Sequence, residues 1–278
     1  MPNAEVIDKR GELSDMRDKF TLTGKKAFVC DLDGTLFMGS RPIAPAVRFV
    51  QERAGDFEFY YLTNNTSKTP EAYLEKIGGA GIKVGADNIL TPLTTLTEYI
   101  AERGYSSVYL VANAAVTAYM RGLLPNVAFG YAQGENRLVA LTYDSELTYE
   151  KLRRAAVLLN ADPELDYVAT HGDKCCPSEE GPIPDIGGII ALMRATNGVE
   201  PRHVFGKPSP SLLAPVLRRF APSQIVMVGD RLYTDKAMAD NAGIDFICVL
   251  SGETTRESLA AYKGTPPAVV LETLGELL

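Results

Sequence analysis

Four apolar residues, Ala27-Phe28-Val29-Cys30, run without alternation into Asp31-Leu32-Asp33-Gly34-Thr35-Leu36. A run that apolar, ending so abruptly, reads as a strand buried on both faces, the signature of a parallel sheet rather than of a half-wet antiparallel one. A parallel sheet needs crossover connections and helices over both faces, so this stretch commits the chain to an α/β architecture. Gly34 supplies the turn after the strand. Ligands in open α/β sheets bind just beyond the carboxyl ends of the strands, which puts Asp31 and Asp33 side by side at a binding rim.

Two carboxylates that close repel, and a bound cation can keep both ionised. Mg²⁺ suits all-oxygen ligands and commonly takes one or two carboxylates with waters and substrate phosphate. An ionised Asp can attack phosphorus, and a second carboxyl group two residues on can serve as general acid and then base. A calcium-type D-x-D-G loop and a plain polar turn are the bland readings.

Three further strand ends carry the same kind of chemistry. Glu58-Phe59-Tyr60-Tyr61-Leu62 ends in Thr63-Asn64-Asn65-Thr66-Ser67, hydroxyls and amides suited to phosphate oxygens or to a simple helix cap. Val204-Phe205 leads to Gly206-Lys207-Pro208-Ser209-Pro210, where a lysine can act as a compact charge for phosphate. Ile225-Val226-Met227-Val228 leads to Gly229-Asp230, with Asp235 five residues on.

The chain has 278 residues, room for two domains. Its net charge of −7 and lack of a long basic run argue against nucleic acid as the main partner. A window of 18 apolar residues is missing and Met1 to Lys26 is polar, so neither a membrane span nor a signal peptide is expected. Of the four cysteines, Cys30 and Cys248 lie in apolar runs and read as buried thiols, and Cys175-Cys176 is a vicinal pair. That usage fits a reducing, cytoplasmic setting.

Residues 1–24 form an extension in which Leu13, Met16 and Phe20 could line one short helix. Gly39 and Pro42 mark a turn before a helix over 44–54, and another helix is expected over 70–78. From Pro92 the pattern alternates: helix 92–103, strand 107–111, helix 114–122, strand 138–142, helix 148–160, strand 167–170, helix 185–196. This predicts a second compact α/β unit over 92–199. Helix 234–241, strands 246–250 and 268–271 and a short C-terminal helix complete the core.

The four strand-end segments, in this order, resemble the motifs of the haloacid dehalogenase superfamily in its phosphatase form: D-x-D-G-T at Asp31–Thr35, T-N-N at Thr63–Asn65, G-K-P-x-P at Gly206–Pro210 and G-D-x-x-x-T-D at Gly229–Asp235. The T-N-N and G-K-P-x-P forms are similar to the NagD-like, 4-nitrophenylphosphatase branch. The resemblance implies a Rossmann-like doubly wound parallel core over 25–91 and 200–278, with 92–199 as an inserted α/β cap of class IIA. It implies Mg²⁺ held by Asp31, the Asp33 main chain and Asp230, with Asp235 acting through water or by orientation. Asp31 would be the nucleophile and Asp33 the general acid and base. Thr63, the main chain near Asn64 and Asn65, and Lys207 would bind the transferred phosphoryl group.

In the family the cap closes over the site and contacts the leaving group, which gives Asp173 and Cys176 substrate-binding roles and leaves His171 a specificity candidate. Where the pyridoxal phosphate branch carries a His before the Pro at position 177, this chain has Cys176, which disfavours that substrate. The Cys175-Cys176 pair reads as loop thiols, with a reactive thiol or metal ligand as the alternative. The implied activity is hydrolysis of a small phosphomonoester such as a sugar phosphate. A phosphotransferase or phosphomutase would use the same residues, and a non-catalytic phosphometabolite sensor is the third reading. Caps in this branch often take part in homodimers.

Overall fold

The computed structural model describes residues 20–130, 136–176 and 181–278. The helix expected around Leu13 and Met16, and Pro177, lie outside the described residues. The chain forms two compact units, Met1–Tyr61 with Pro215–Leu278, and Leu62–Ala214. The sequence reading put the domain joints at 91/92 and 199/200. Segments 62–91 and 200–214 group with the residues between them in the second unit.

The first unit is built on parallel strands in the order Val269–Leu271, Asp245–Val249, Ile225–Gly229, Ala27–Asp31, Glu58–Leu62. Every residue of Ala27–Asp31 and Ile225–Gly229 is buried, as the unbroken apolar runs demand. Their register pairs Ala27 with Ile225 and Cys30 with Val228. Parallel pairing therefore brings the ends of both strands to one rim. Phe28 is fully buried and packs on Phe49, Phe57 and Phe59 at centroid distances of 5.4, 4.9 and 5.3 Å. Phe49 comes from helix Ala44–Arg53, so this aromatic cluster fastens a helix to one face of the sheet. The turn expected at Gly39 is a small hairpin, Phe37–Met38 against Arg41–Pro42.

The expected helix over 234–241 is two pieces, a π-helical turn Leu232–Lys236 running into Ala237–Ala242. Periodicity does not distinguish such a turn from an α-helix, and π turns concentrate at functional sites. The expected C-terminal helix is a single 3₁₀ turn, Leu274–Leu277, while Arg256–Ala261 adds a helix the sequence reading left as loop.

The second unit carries a five-stranded parallel sheet in the order His203–Val204, Asp166–Ala169, Arg137–Leu141, Ser107–Val111, Ala128–Phe129. Successive side chains go to opposite faces. Val108, Leu138, Ala140 and Val168 pack with Leu93, Leu96 and Ile100 of helix Pro92–Arg103 and Val116 and Met120 of helix Ala114–Leu123. Tyr109, Val111, Val139, Leu141 and Tyr167 pack with Ala155, Leu158 and Leu159 of helix Tyr149–Ala161 and Ile186 and Met193 of helix Ile186–Asn197. Both faces are covered, as the alternation of elements predicted. Thr91, Asn113, Thr148 and Asp185 cap the four helices with their side chains. The Ala128–Phe129 strand escaped the sequence reading because two residues carry no periodicity.

Truncating Phe28 to Ala removes the centre of the first unit's aromatic cluster, and a loss of about 3–5 kcal/mol is expected. The check is the denaturant midpoint of that unit's unfolding. An unchanged midpoint would contradict the packing described.

Candidate active site

Asp31 is the last residue of its strand and Asp230 follows directly on the neighbouring one. The π turn then carries Asp235 back toward both. One carboxylate oxygen from each of Asp31, Asp230 and Asp235 lies within 4.8 Å of the others. The three residues are only 5%, 2% and 0% exposed.

Main-chain donors hold this cluster. The Glu253 N–H donates to Asp230 Oδ2 at 2.7 Å, and the Arg231 N–H donates to Asp235 Oδ2 at 3.1 Å. The Thr254 N–H takes up the Asp230 carbonyl at 3.0 Å. Gly34 has φ +95°, and a Cβ there would stand 2.4 Å from Asp230 Oδ2. Only glycine both makes this turn and leaves the carboxylate its place. Ser251 Oγ fixes the turn by donating to the Gly34 carbonyl at 2.7 Å.

Arg231 is the nearby cation. Burial works to lower its pKa, but Tyr233, Asp230, Asp31 and Glu253 outweigh that and hold it above its ordinary value. Its Nε lies 3.0 Å from Glu253 Oε2, so the guanidinium is shared with a carboxylate outside the cluster. Cys30, beside Asp31, is raised by burial and then by that charge, and Cys248 is pushed up to about 12 by burial and Asp230. Both are free thiols in the protonated form and offer no thiolate.

Three buried carboxylates at this separation repel unless positive charge is brought among them. The donor set is all oxygen, without His or Cys, which fits a hard divalent cation. The sequence reading assigned the ion to the Asp31 and Asp230 carboxylates and the Asp33 main chain, with Asp235 acting through water or by orientation. The clustered carboxylates are Asp31, Asp230 and Asp235, while Asp33 is half-buried at the turn, bridged to Phe37.

The second unit gathers the remaining expected residues. Thr63 Oγ1 accepts from the Asn65 N–H at 3.1 Å. Asn64 clasps Lys207: its Oδ1 accepts the Lys207 N–H at 2.8 Å and its Nδ2 donates to the Lys207 carbonyl at 3.3 Å. The same Nδ2 donates to Asp173 Oδ2 at 3.2 Å. Lys207 is 4% exposed. Asn65 turns its Oδ1 into a local turn, accepting from both the N–H and the hydroxyl of Ser67. Thr66 and Thr170 share a hydroxyl–hydroxyl bond of 2.9 Å. Cys176 pairs with Ile183 in the small ribbon Cys175–Cys176 with Ile183–Pro184.

Sequence reasoning missed the contribution of Arg231 and of the 251–254 loop. Arg231 lay inside a recognised motif but as an unspecified position, and Ser251-Gly252 gave only a turn signal.

Comparison with known proteins is consistent over most of the chain. Residues 28–123 match the haloacid dehalogenase-like hydrolase family, and residues 204–277 match the HAD-hydrolase-like family. An acid sugar phosphatase of Staphylococcus saprophyticus is 31% identical over 261 residues, covering 91% of this chain and 96% of its own. The crystal structure of 4-nitrophenylphosphatase from Thermotoga maritima superposes with a TM-score of 0.83 at 33% identity, covering 92% of this chain and 97% of that one. A NagD-type protein of known structure gives a TM-score of 0.79 at 31% identity, covering 90% and 96%.

If the acidic cluster holds a cation, a divalent metal at about 100 times its dissociation constant should stabilise the chain by about 2.7 kcal/mol, raising Tm by several degrees. Asp230→Asn should abolish the shift. A thermal melt with and without metal checks this, and an equal shift in the variant would contradict it.

Proposed function

The chain belongs to the haloacid dehalogenase-like hydrolases, in their NagD-like branch, and is a phosphatase of that family; from that premise we propose that it hydrolyses a small phosphomonoester, a sugar phosphate or similar metabolite, with Mg²⁺ and through an aspartyl-phosphate intermediate. The observation that carries this reading is the buried triad of carboxylates at the strand ends. A generic polar rim has no reason to bury three acids together.

Asp31, Asp230 and the Asp33 main chain would hold the ion, with Asp235 fixed by the Arg231 N–H as their support. When bound, Mg²⁺ supplies the positive charge that lets a phosphate dianion approach a carboxylate. The Asp31 carboxylate then attacks phosphorus in line with the leaving oxygen. A P–O bond to Asp31 forms as the bond to the alkoxide breaks. Asp33 gives its proton to that alkoxide, then takes one from the water that cleaves the acyl phosphate, releasing inorganic phosphate and restoring Asp31. The Thr63 hydroxyl, the main chain at Asn64 and Asn65, and the Lys207 ammonium are assigned to the phosphoryl oxygens, where charge builds up.

Asp173 and Cys176 are assigned to the leaving group, with 92–199 as the cap and 25–91 with 200–278 as the catalytic core. A small-molecule phosphate ester as sole substrate partner, a homodimer through the cap and a cytoplasmic location complete the proposal. The resemblance to a sugar phosphatase and the four free cysteines support it. Among the described residues no helix is long and apolar enough to cross a membrane.

Asp31→Asn should lower turnover of 4-nitrophenyl phosphate by at least about 10³-fold in a chain that remains folded. EDTA should do the same to the unaltered chain, with recovery on adding Mg²⁺. Phosphate release measured in these conditions decides the matter: undiminished hydrolysis by the variant would remove the nucleophile, and indifference to EDTA would remove the metal.

A further inference from the structure

His171 follows the Asp166–Ala169 strand by two residues and is completely buried. Its Nδ1 lies 3.6 Å from Asp173 Oδ2, and its Nε2 lies 3.6 Å from Asp185 Oδ1. The two carboxylates stand against opposite nitrogens of one ring, and their side chains are 9% and 5% exposed. A neutral imidazole has one N–H and one lone pair. Whichever tautomer formed, a lone pair would face a carboxylate out of reach of bulk water.

Both carboxylates also accept hydrogen bonds from other donors. Asp185 Oδ1 accepts the Ile186 N–H at 2.7 Å as the cap of helix Ile186–Asn197. Asp173 Oδ2 accepts from Asn64 Nδ2. Hydrogen bonds to a carboxylate favour its charged form. Tyr143 also faces Asp185, but burial, followed by Cys176 and Asp185, pushes its hydroxyl up to about 12, so it brings no compensating charge. One donor atom from each of the three side chains lies within 4.8 Å of the others, so a bound cation would compete with an imidazolium for these carboxylates.

The clamp leads to Lys207. Gly206 is so close that a Cβ on it would stand 2.5 Å from His171 Cβ and 2.6 Å from Asn64 Oδ1, so the Lys207 segment lies directly on His171 and Asn64. The Gly206 N–H donates to the Thr170 carbonyl at 2.6 Å. On the other side, the Gly187 N–H donates to the Asp173 carbonyl at 2.8 Å, tying that loop to the start of the capped helix.

We propose that His171 is a positioning residue: a buried imidazolium clamped between Asp173 and Asp185 that, through Asp173 and the Asn64 amide, fixes the main chain of Lys207. Its importance for turnover rests on the phosphatase reading; its charge state and its grip on Lys207 do not. The chain contains two histidines, and the other, His203, is exposed.

The test uses the ¹⁵N-labelled full chain. At pH 7.5, long-range ¹⁵N–¹H spectra should show both nitrogens of His171 protonated. A neutral His171 tautomer at that pH would overturn the clamp. In His171→Gln the Lys207 amide should exchange with solvent roughly tenfold faster, and KM for 4-nitrophenyl phosphate should rise roughly tenfold with a smaller change in kcat. An unaltered Lys207 amide in a folded variant would overturn the positioning role. If the variant does not fold, the unaltered chain's spectrum decides by itself. Full activity of Asp31→Asn would instead count against the phosphatase mechanism and leave the His171 result standing.

Discussion

Asp31, Asp230 and Asp235 repel one another from buried positions, and the way the first unit tolerates this governs its local design. Parallel pairing of Ala27–Asp31 with Ile225–Gly229 leaves no freedom to separate the first two. A π turn adds the third instead of carrying it away. The surrounding main chain answers with N–H donors from Arg231 and Glu253, and with Gly34, where a side chain would displace Asp230. These features stabilise charged carboxylates; they do not neutralise them. The cluster could hold a cation, and its all-oxygen donor set would suit a hard one.

The second unit solves a different problem, that of holding a buried lysine still. Lysine has a long and flexible stem, and fixing it is entropically costly. The Asn64 side chain grips both the N–H and the carbonyl of Lys207, so the side chain departs from a fixed base. That amide is itself held by Asp173, and Asp173 by the histidine clamp. Charge, amide and main chain thus form one connected series within the unit.

Much of this was legible in the sequence because it depends on local pattern. The unbroken apolar runs at Ala27–Cys30 and Ile225–Val228 can be satisfied only by burial on both faces, and the Gly and Asp residues after them mark strand ends. Other features were not legible because they depend on contacts between distant positions. Asp185 reads as the first residue of a helix and proves to be its cap; its second role needs His171 beside it. Asp235 was placed near the ion by its motif, but periodicity gave a plain α-helix there and did not report the π turn that carries its carboxylate into the acidic cluster. The Asn64–Lys207 clasp joins residues 143 positions apart, which no periodicity reports.

Mn²⁺ can stand in for the proposed ion and is visible by electron paramagnetic resonance. A titration of the full chain should show one tightly bound Mn²⁺ per molecule, displaced by Mg²⁺ and lost when Asp230 is changed to Asn. Binding that is absent at millimolar Mn²⁺, or that persists undiminished without the Asp230 carboxylate, would contradict the central role given to the three acids.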